Sequence, residues 1–273
     1  MQGNPSLGPE EAETWTFGAV LNGPGSLENL VTSVDFYNVE ITNAINPLDS
    51  VFVYEQCMNA DGASNPTLQK AANPFCNLIT RNEVTGLRSS TKAPYFNTGL
   101  LATAGVDVTV NWSTDVGPGT LNINTVATHL FKYETQQNPN AAIYDAVGTL
   151  DQGGQFDYRL MSSLNYAFSG GANLGVTWHY LPSVKDETAA QDPETRIYGV
   201  GSYSDFDLDG RYPFSDRFEL RGGIDNLLDT GPPVVGADPG TDTIVENANL
   251  GTTRADFYDV LGRRFYIGFK MAF

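Results

Sequence analysis

Few residues of this chain are equipped for chemistry. His129 and His179 are its only histidines, and so the only side chains whose ordinary pKa suits general acid–base work near neutrality. A hydrolase would need one of them beside a serine nucleophile and an orienting carboxylate. No GxSxG elbow is present, and neither histidine has a carboxylate at a telling spacing, so ordinary structural positions are expected and no enzyme activity. Cys57 and Cys76 share one polar stretch with no CxxC spacing and no nearby histidine, which disfavours zinc. A loop-closing disulfide is the better reading. It would stabilise the fold by roughly 3 kcal/mol in the chain-entropy description and would require an oxidising compartment.

Two groups of acidic side chains stand out. Asp205, Asp207 and Asp209 alternate with Arg211 along one face of a stretch of period two. Pairing with Arg159, Arg221 and Arg264 is the structural expectation for them, and a polar wall for substrate passage is its functional rival. Asp186, Glu187, Asp192 and Glu194 could meet calcium, yet they lack the glycine-bearing loop pattern of a dedicated site, so a solvated loop is expected. No metal and no cofactor is expected.

Charge narrows the function class. The net charge of −17, from 32 acidic and 15 basic residues, argues against nucleic-acid binding, which needs a basic footprint. No charged segment followed by an apolar one marks a signal peptide at the N-terminus. No run approaches the roughly 18 apolar residues of a membrane helix. The mean hydropathy of −0.24 says nothing against a barrel, whose alternating strands hide from hydropathy averages.

The elements that must position these residues are strands. From Arg263 to the end, Phe265, Ile267, Phe269, Met271 and Phe273 share one face, while Arg264, Tyr266, Gly268, Lys270 and Ala272 share the other. The same alternation predicts strands over 13–22, 31–45, 97–112, 121–134, 156–168, 174–180, 203–212 and 218–225, about nine in all. The second switches phase near Phe36, which predicts a bulge there. A short helix is expected over 51–58.

Connections alternate between short turns (23–29, 115–119, 169–173, 213–216) and long loops (47–96, 135–155, 184–202, 227–262). One strand face is apolar. The other carries Asp, Arg, Asn and Thr, which would leave a soluble sandwich without a core. Both features suit an antiparallel, up-and-down, transmembrane β-barrel with long external loops and short periplasmic turns. On that reading Asp205, Asp207, Asp209, Arg211, Arg159, His179 and Arg221 face the lumen. Trp15, Trp112 and Trp178, near strand ends on the apolar face, belong to interfacial girdles against lipid. Because the first and last strands run in the same direction, an odd count cannot close by itself, and a segment of a larger barrel is expected.

Four stretches carry a family resemblance. Asn4 to Glu10, NPSLGPE, precedes the first strand; Cys57 to Cys76 is followed by Leu78-Ile79-Thr80-Arg81; Gly223-Ile224-Asp225-Asn226-Leu227-Leu228-Asp229 is followed by Pro232-Pro233; and the chain ends YDVLGRRFYIGFKMAF. In this order they resemble the C-terminal third of a TonB-dependent outer-membrane receptor, with Leu228 standing where the family has Phe. The resemblance implies that Tyr266, Gly268, Met271 and Phe273 form the signal read by the barrel assembly machinery. It implies that residues 1–273 are the C-terminal portion of a barrel of about 22 strands, with 47–96 as a long external loop. The expected place is the outer membrane of a Gram-negative bacterium. The expected function is TonB-energised uptake of a scarce ligand (siderophore, vitamin or carbohydrate), through a plug domain for which this chain has no candidate. A passive pore or adhesin barrel is the alternative and would need a tenth strand within 47–96; an outer-membrane barrel enzyme is the third reading.

Overall fold

The computed structural model describes residues 4–60, 62–69, 73–136, 142–149, 154–185, 199–233, 253 and 257–272. The acidic loop residues Asp186, Glu187, Asp192 and Glu194, and the terminal Phe273, lie outside the described residues. Nine long antiparallel strands follow one another in chain order: β1 (Glu11–Asn22), β2 (Leu30–Pro47), β5 (Tyr95–Val116), β6 (Gly119–Gln136), β8 (Tyr158–Phe168), β9 (Asn173–Leu181), β10 (Tyr203–Ser215), β11 (Phe218–Asp225) and β12 (Arg264–Met271). Between them lie the helix α1 (Ser50–Cys57), a hairpin of β3 (Ile79–Arg81) and β4 (Arg88–Thr91), and β7 (Tyr144–Asp145), which pairs with β6. The sheet is an open path from β1 to β12, so the barrel is not closed within this chain.

The expected strands are all present, and one local reading changes. Phe156 does not begin β8. It is buried with Val184, Tyr203 and Tyr258, and its ring meets Phe257 and Tyr258 edge-on at 5.1 and 6.0 Å. An aromatic ring gains more from that apolar cluster than from one further ladder position. β2 carries a left-handed residue at Asn43 (φ 54°), a region that asparagine tolerates better than most side chains. Among the described residues, β3 and β4 pair with each other as a separate two-stranded sheet and not with the wall.

The chain divides into two compact units. The first comprises Met1–Thr14, Val39–Ala102 and Glu134–Asp145. Its core is small: Leu48, Val53, Cys57, Cys76 and Ile79, with Phe52, Phe75, Leu78 and Phe96 packed against them. Asp49 caps α1 by accepting a hydrogen bond from the Val51 N–H at 3.2 Å. Cys57 and Cys76 are joined by a disulfide, and buried amides complete the junction. The Asn65 amide donates to the Cys57 carbonyl at 2.6 Å, while Asn73 Oδ1 accepts from the Phe75 and Cys76 N–H groups at 2.9 and 3.2 Å. The stretch from Asn4 to Glu10 is tied to neighbouring strands of this unit: Asn4 donates to the Tyr95 carbonyl, Gly8 exchanges bonds with the Asn97 side chain, and Glu10 accepts from the Ile45 N–H.

The second unit comprises Trp15–Asn38, Thr103–Tyr133 and Ala146–Phe273. Apart from a shift between Pro213 and Ser215 in the β10–β11 ladder, the register of β8 to β12 sorts side chains into rows. Leu164, Val176, Leu208, Ile224 and Phe265 form one row of the apolar face. The adjacent row of the other face reads Asn165, Gly175, Asp209, Gly223 and Tyr266. Apolar side chains therefore stay in contact with what surrounds the sheet: Phe265 and Ile267 are each 72% exposed and Phe269 78%. A soluble protein would not tolerate such a continuous apolar face, whereas a lipid-facing wall requires it.

Candidate functional site

Aromatic rings bracket the apolar face. Toward the long-loop end Trp178 stacks on Phe206 at 6.3 Å, Tyr158 on Tyr180 at 5.9 Å and Phe36 on Phe131 at 6.5 Å. Toward the short turns Tyr166 meets Phe168 at 4.6 Å and Tyr212 meets Phe214 at 5.1 Å. β8 carries both bands on its 11 residues. At about 3.3 Å per residue and a tilt of about 40°, such a strand crosses roughly 28 Å, close to the ~25 Å apolar band of an outer-membrane barrel. The hydrogen bond from Trp178 Nε1 to Ser204 Oγ at 3.2 Å satisfies the one polar atom of that indole.

The polar face is where chemistry is concentrated. Asp205 lies directly opposite His179, Asp207 opposite Thr177, Asp209 opposite Gly175 and Arg211 opposite Asn173. Across the next ladder Arg211 lies opposite Arg221. Two glycines on this face are required by close approach: a Cβ at Gly175 would run into the Asp209 carboxylate, and one at Gly223 into the Tyr266 ring. Tyr266 and Gly268 of the terminal motif share this polar face through their partners Gly223 and Arg221. Met271 lies opposite Phe218 on the apolar one.

The expected pairing of the aspartate series with arginines is not what the structure shows. Arg264 binds Asp225 (3.3 Å) and Asp259 (3.0 Å), because Asp225 is its ladder partner and Asp259 stands five residues before it. Glu219 takes Arg221 at 2.8 Å and Arg211 at 3.8 Å, which separates two guanidinium groups that the register places face to face. Arg159 lies over the Phe156 ring at 5.1 Å. Alternation puts Glu219 and Asp225 on the polar face, but only register shows which arginine each meets, and only the returning loop brings in Asp259. Asp207 has a different neighbour, His179 Nε2 at 3.4 Å, and its Oδ1 accepts from the Asn226 N–H at 2.8 Å. Asn226, 1% exposed with φ 50°, also accepts from the Thr230 N–H and donates to the Thr230 carbonyl. The asparagine of the NLLD stretch thus both ends β11 and orients Asp207.

His129 stands on the opposite face from His179. Its ladder partner is Tyr158, its Nδ1 lies 2.8 Å from the Asp157 carbonyl, and its ring meets Phe131 edge-on. The two histidines therefore share no site. Within the first unit, the β3–β4 hairpin offers exposed Val84 and Leu87, with the Arg88 guanidinium 5.9 Å from the Tyr54 ring centre.

A sheet of this kind, apolar and ringed by aromatics on one face, polar on the other, with two-to-seven-residue turns at one end and long loops at the other, is the wall of an outer-membrane β-barrel. Residues 1–227 match the family described as TonB dependent receptor-like, beta-barrel. The chain belongs to that family, whose members reside in the outer membrane of Gram-negative bacteria. Among solved structures it is similar to a mutant of the ferric enterobactin receptor PfeA from Pseudomonas aeruginosa, with TM-score 0.63 and 16% identity over 99% of this chain and 32% of that one. It is also similar to the siderophore receptor PirA from Acinetobacter baumannii (TM-score 0.57, 15% identity, 100% and 33% covered) and to the outer membrane transporter YddB from Escherichia coli (TM-score 0.61, 13% identity, 100% and 34% covered). The chain thus spans about a third of the length of these structures. No curated protein matches it.

Proposed function

We propose that this chain supplies part of the barrel wall and the external loops of a receptor that takes up a scarce ligand across the outer membrane, energised by TonB through a plug domain outside these residues. The observation that supports this reading is the division of faces: an apolar face fit for lipid, and a polar face lined by Asp205, Asp207, Asp209, Arg211, His179 and Arg221 fit for an aqueous lumen. A siderophore is the favoured ligand class, because two of the similar structures are siderophore receptors. Ligand contacts are placed on the disulfide-closed external loop, where Arg81 and Arg88 flank the exposed tip of the hairpin and could attract an anionic complex. Tyr266, Gly268, Met271 and Phe273 are proposed as the signal for the assembly machinery.

The test is growth under iron limitation with single purified ferric siderophores as the iron source. Uptake that requires both the intact receptor and TonB supports the reading. Ligand passage that persists without TonB would replace it with a passive pore.

A further inference from the structure

We propose that the polar face carries a binding site for a borderline divalent cation such as Zn²⁺ or Cu²⁺, formed by His179, Asp205 and Asp207. One ligand atom from each of the three residues can be chosen so that all lie within 4.8 Å of one another. The histidine distinguishes this group from a patch of exposed acids. Imidazole nitrogen with two carboxylate oxygens is a donor set for Zn²⁺, Cu²⁺ or Ni²⁺, whereas Ca²⁺ and Mg²⁺ prefer oxygen alone.

The distance between His179 Nε2 and Asp207 Oδ2 also favours a shared ion. At 3.4 Å it is well beyond the roughly 2.8 Å of a direct charge-assisted hydrogen bond. It equals the edge of about 3.4 Å that separates two ligands of a tetrahedral ion with bonds of about 2.1 Å. The 4.8 Å limit needs only about an ångström of side-chain rotation to close onto the same ion. One ladder holds all three residues. Asp205 and His179 are direct ladder partners, and Asp207 follows on the same face of β10.

Two surroundings support the site. The Asn226 N–H holds Asp207 Oδ1 at 2.8 Å, leaving Oδ2 to point at His179, an outer contact of the kind that orients metal ligands. The arginines of this face make their closest contacts with other groups: Arg264 with Asp225 and Asp259, Arg211 and Arg221 with Glu219, and Arg159 over Phe156, with Arg264 acting on Asp205 only at longer range. Among the described residues no Lys or Arg forms an ion pair with Asp205. His179 is 41% and Asp207 33% exposed at the side chain, so a fourth coordination position remains open to water or to a donor atom of a passing ligand. The proposal rests on strand register and donor geometry, and stands whatever ligand the receptor transports.

The experiment is titration of the intact receptor, purified in detergent, with Zn²⁺, alongside His179→Gln, Asp205→Asn and Asp209→Asn variants whose assembly is checked by heat-modifiable migration. Binding of Zn²⁺ that weakens roughly tenfold or more in the first two variants and is unchanged in Asp209→Asn supports the site. No Zn²⁺ binding by the wild-type receptor, or equal affinity in all variants, overturns it. Should a variant fail to assemble, Cu²⁺ electron paramagnetic resonance on the wild-type receptor decides without mutation. One imidazole nitrogen with oxygen donors supports the assignment; a signal with no nitrogen, or with several, overturns it.

Discussion

Opening the Cys57–Cys76 disulfide should melt the region of α1 and the β3–β4 hairpin locally while leaving the strands β8 to β11 intact. The two cysteines are separated by 19 positions. In the chain-entropy description a loop of that length is worth about 3 kcal/mol, or a factor of roughly 150 in the local opening equilibrium. The unit has little with which to offset that loss. Its core is five buried residues, two of which are the cysteines themselves, and α1 has only eight residues, too short to hold by propensity alone. The assay is amide hydrogen exchange by mass spectrometry on the intact receptor, comparing wild type with Cys57→Ala/Cys76→Ala. Peptides covering α1 and the β3–β4 hairpin should lose about a hundredfold in protection, while those covering β8 to β11 should not change. Equal protection of α1 in both proteins would refute the reasoning, because the asparagine network and apolar contacts would then suffice alone.

Other consequences concern the wall. Leu208→Arg, in the apolar row between Val176 and Ile224, should cost about 2–4 kcal/mol and lower the amount of assembled receptor in outer membranes. Thr177→Arg on the polar face should leave that amount near wild type, and equal effects would reverse the assignment of faces. Gly223→Ala should destabilise by about 1–3 kcal/mol because its methyl group displaces the Tyr266 ring; the cost should largely vanish in a Tyr266→Ala background, read as the temperature of heat-modifiable migration. Asn226→Ala removes a buried side chain bonded both ways to Thr230 and should lower thermal stability by about 1–3 kcal/mol. It should lower ligand uptake no more than that loss of folded receptor explains.

Period-two alternation makes much of this protein legible from its sequence. It marks each strand of the wall and separates Leu208 from Asp207, and the contrast between the turn at Gly117-Pro118 and the loop around Cys57 orients the strands. These properties are local, since the pleat obliges neighbouring side chains to opposite faces wherever the strand pairs. Partners are another matter. Alternation placed Asp205, Asp207, Asp209 and the arginines on one face, yet which guanidinium reaches which carboxylate depends on register, and register is decided by how whole strands align. Arg264 goes to Asp225 because they are ladder partners and to Asp259 because the preceding loop returns beside it. Only the fold shows that His129 and His179 stand on opposite faces, that Phe156 leaves its strand for an aromatic cluster, and that Asp207 is turned toward His179 by the backbone of Asn226. The sequence by itself determined which side chains share the apolar face and which the polar one, because that follows from spacing along one strand. The tertiary structure alone decided which polar groups meet each other, because that follows from the alignment of strands far apart in the chain.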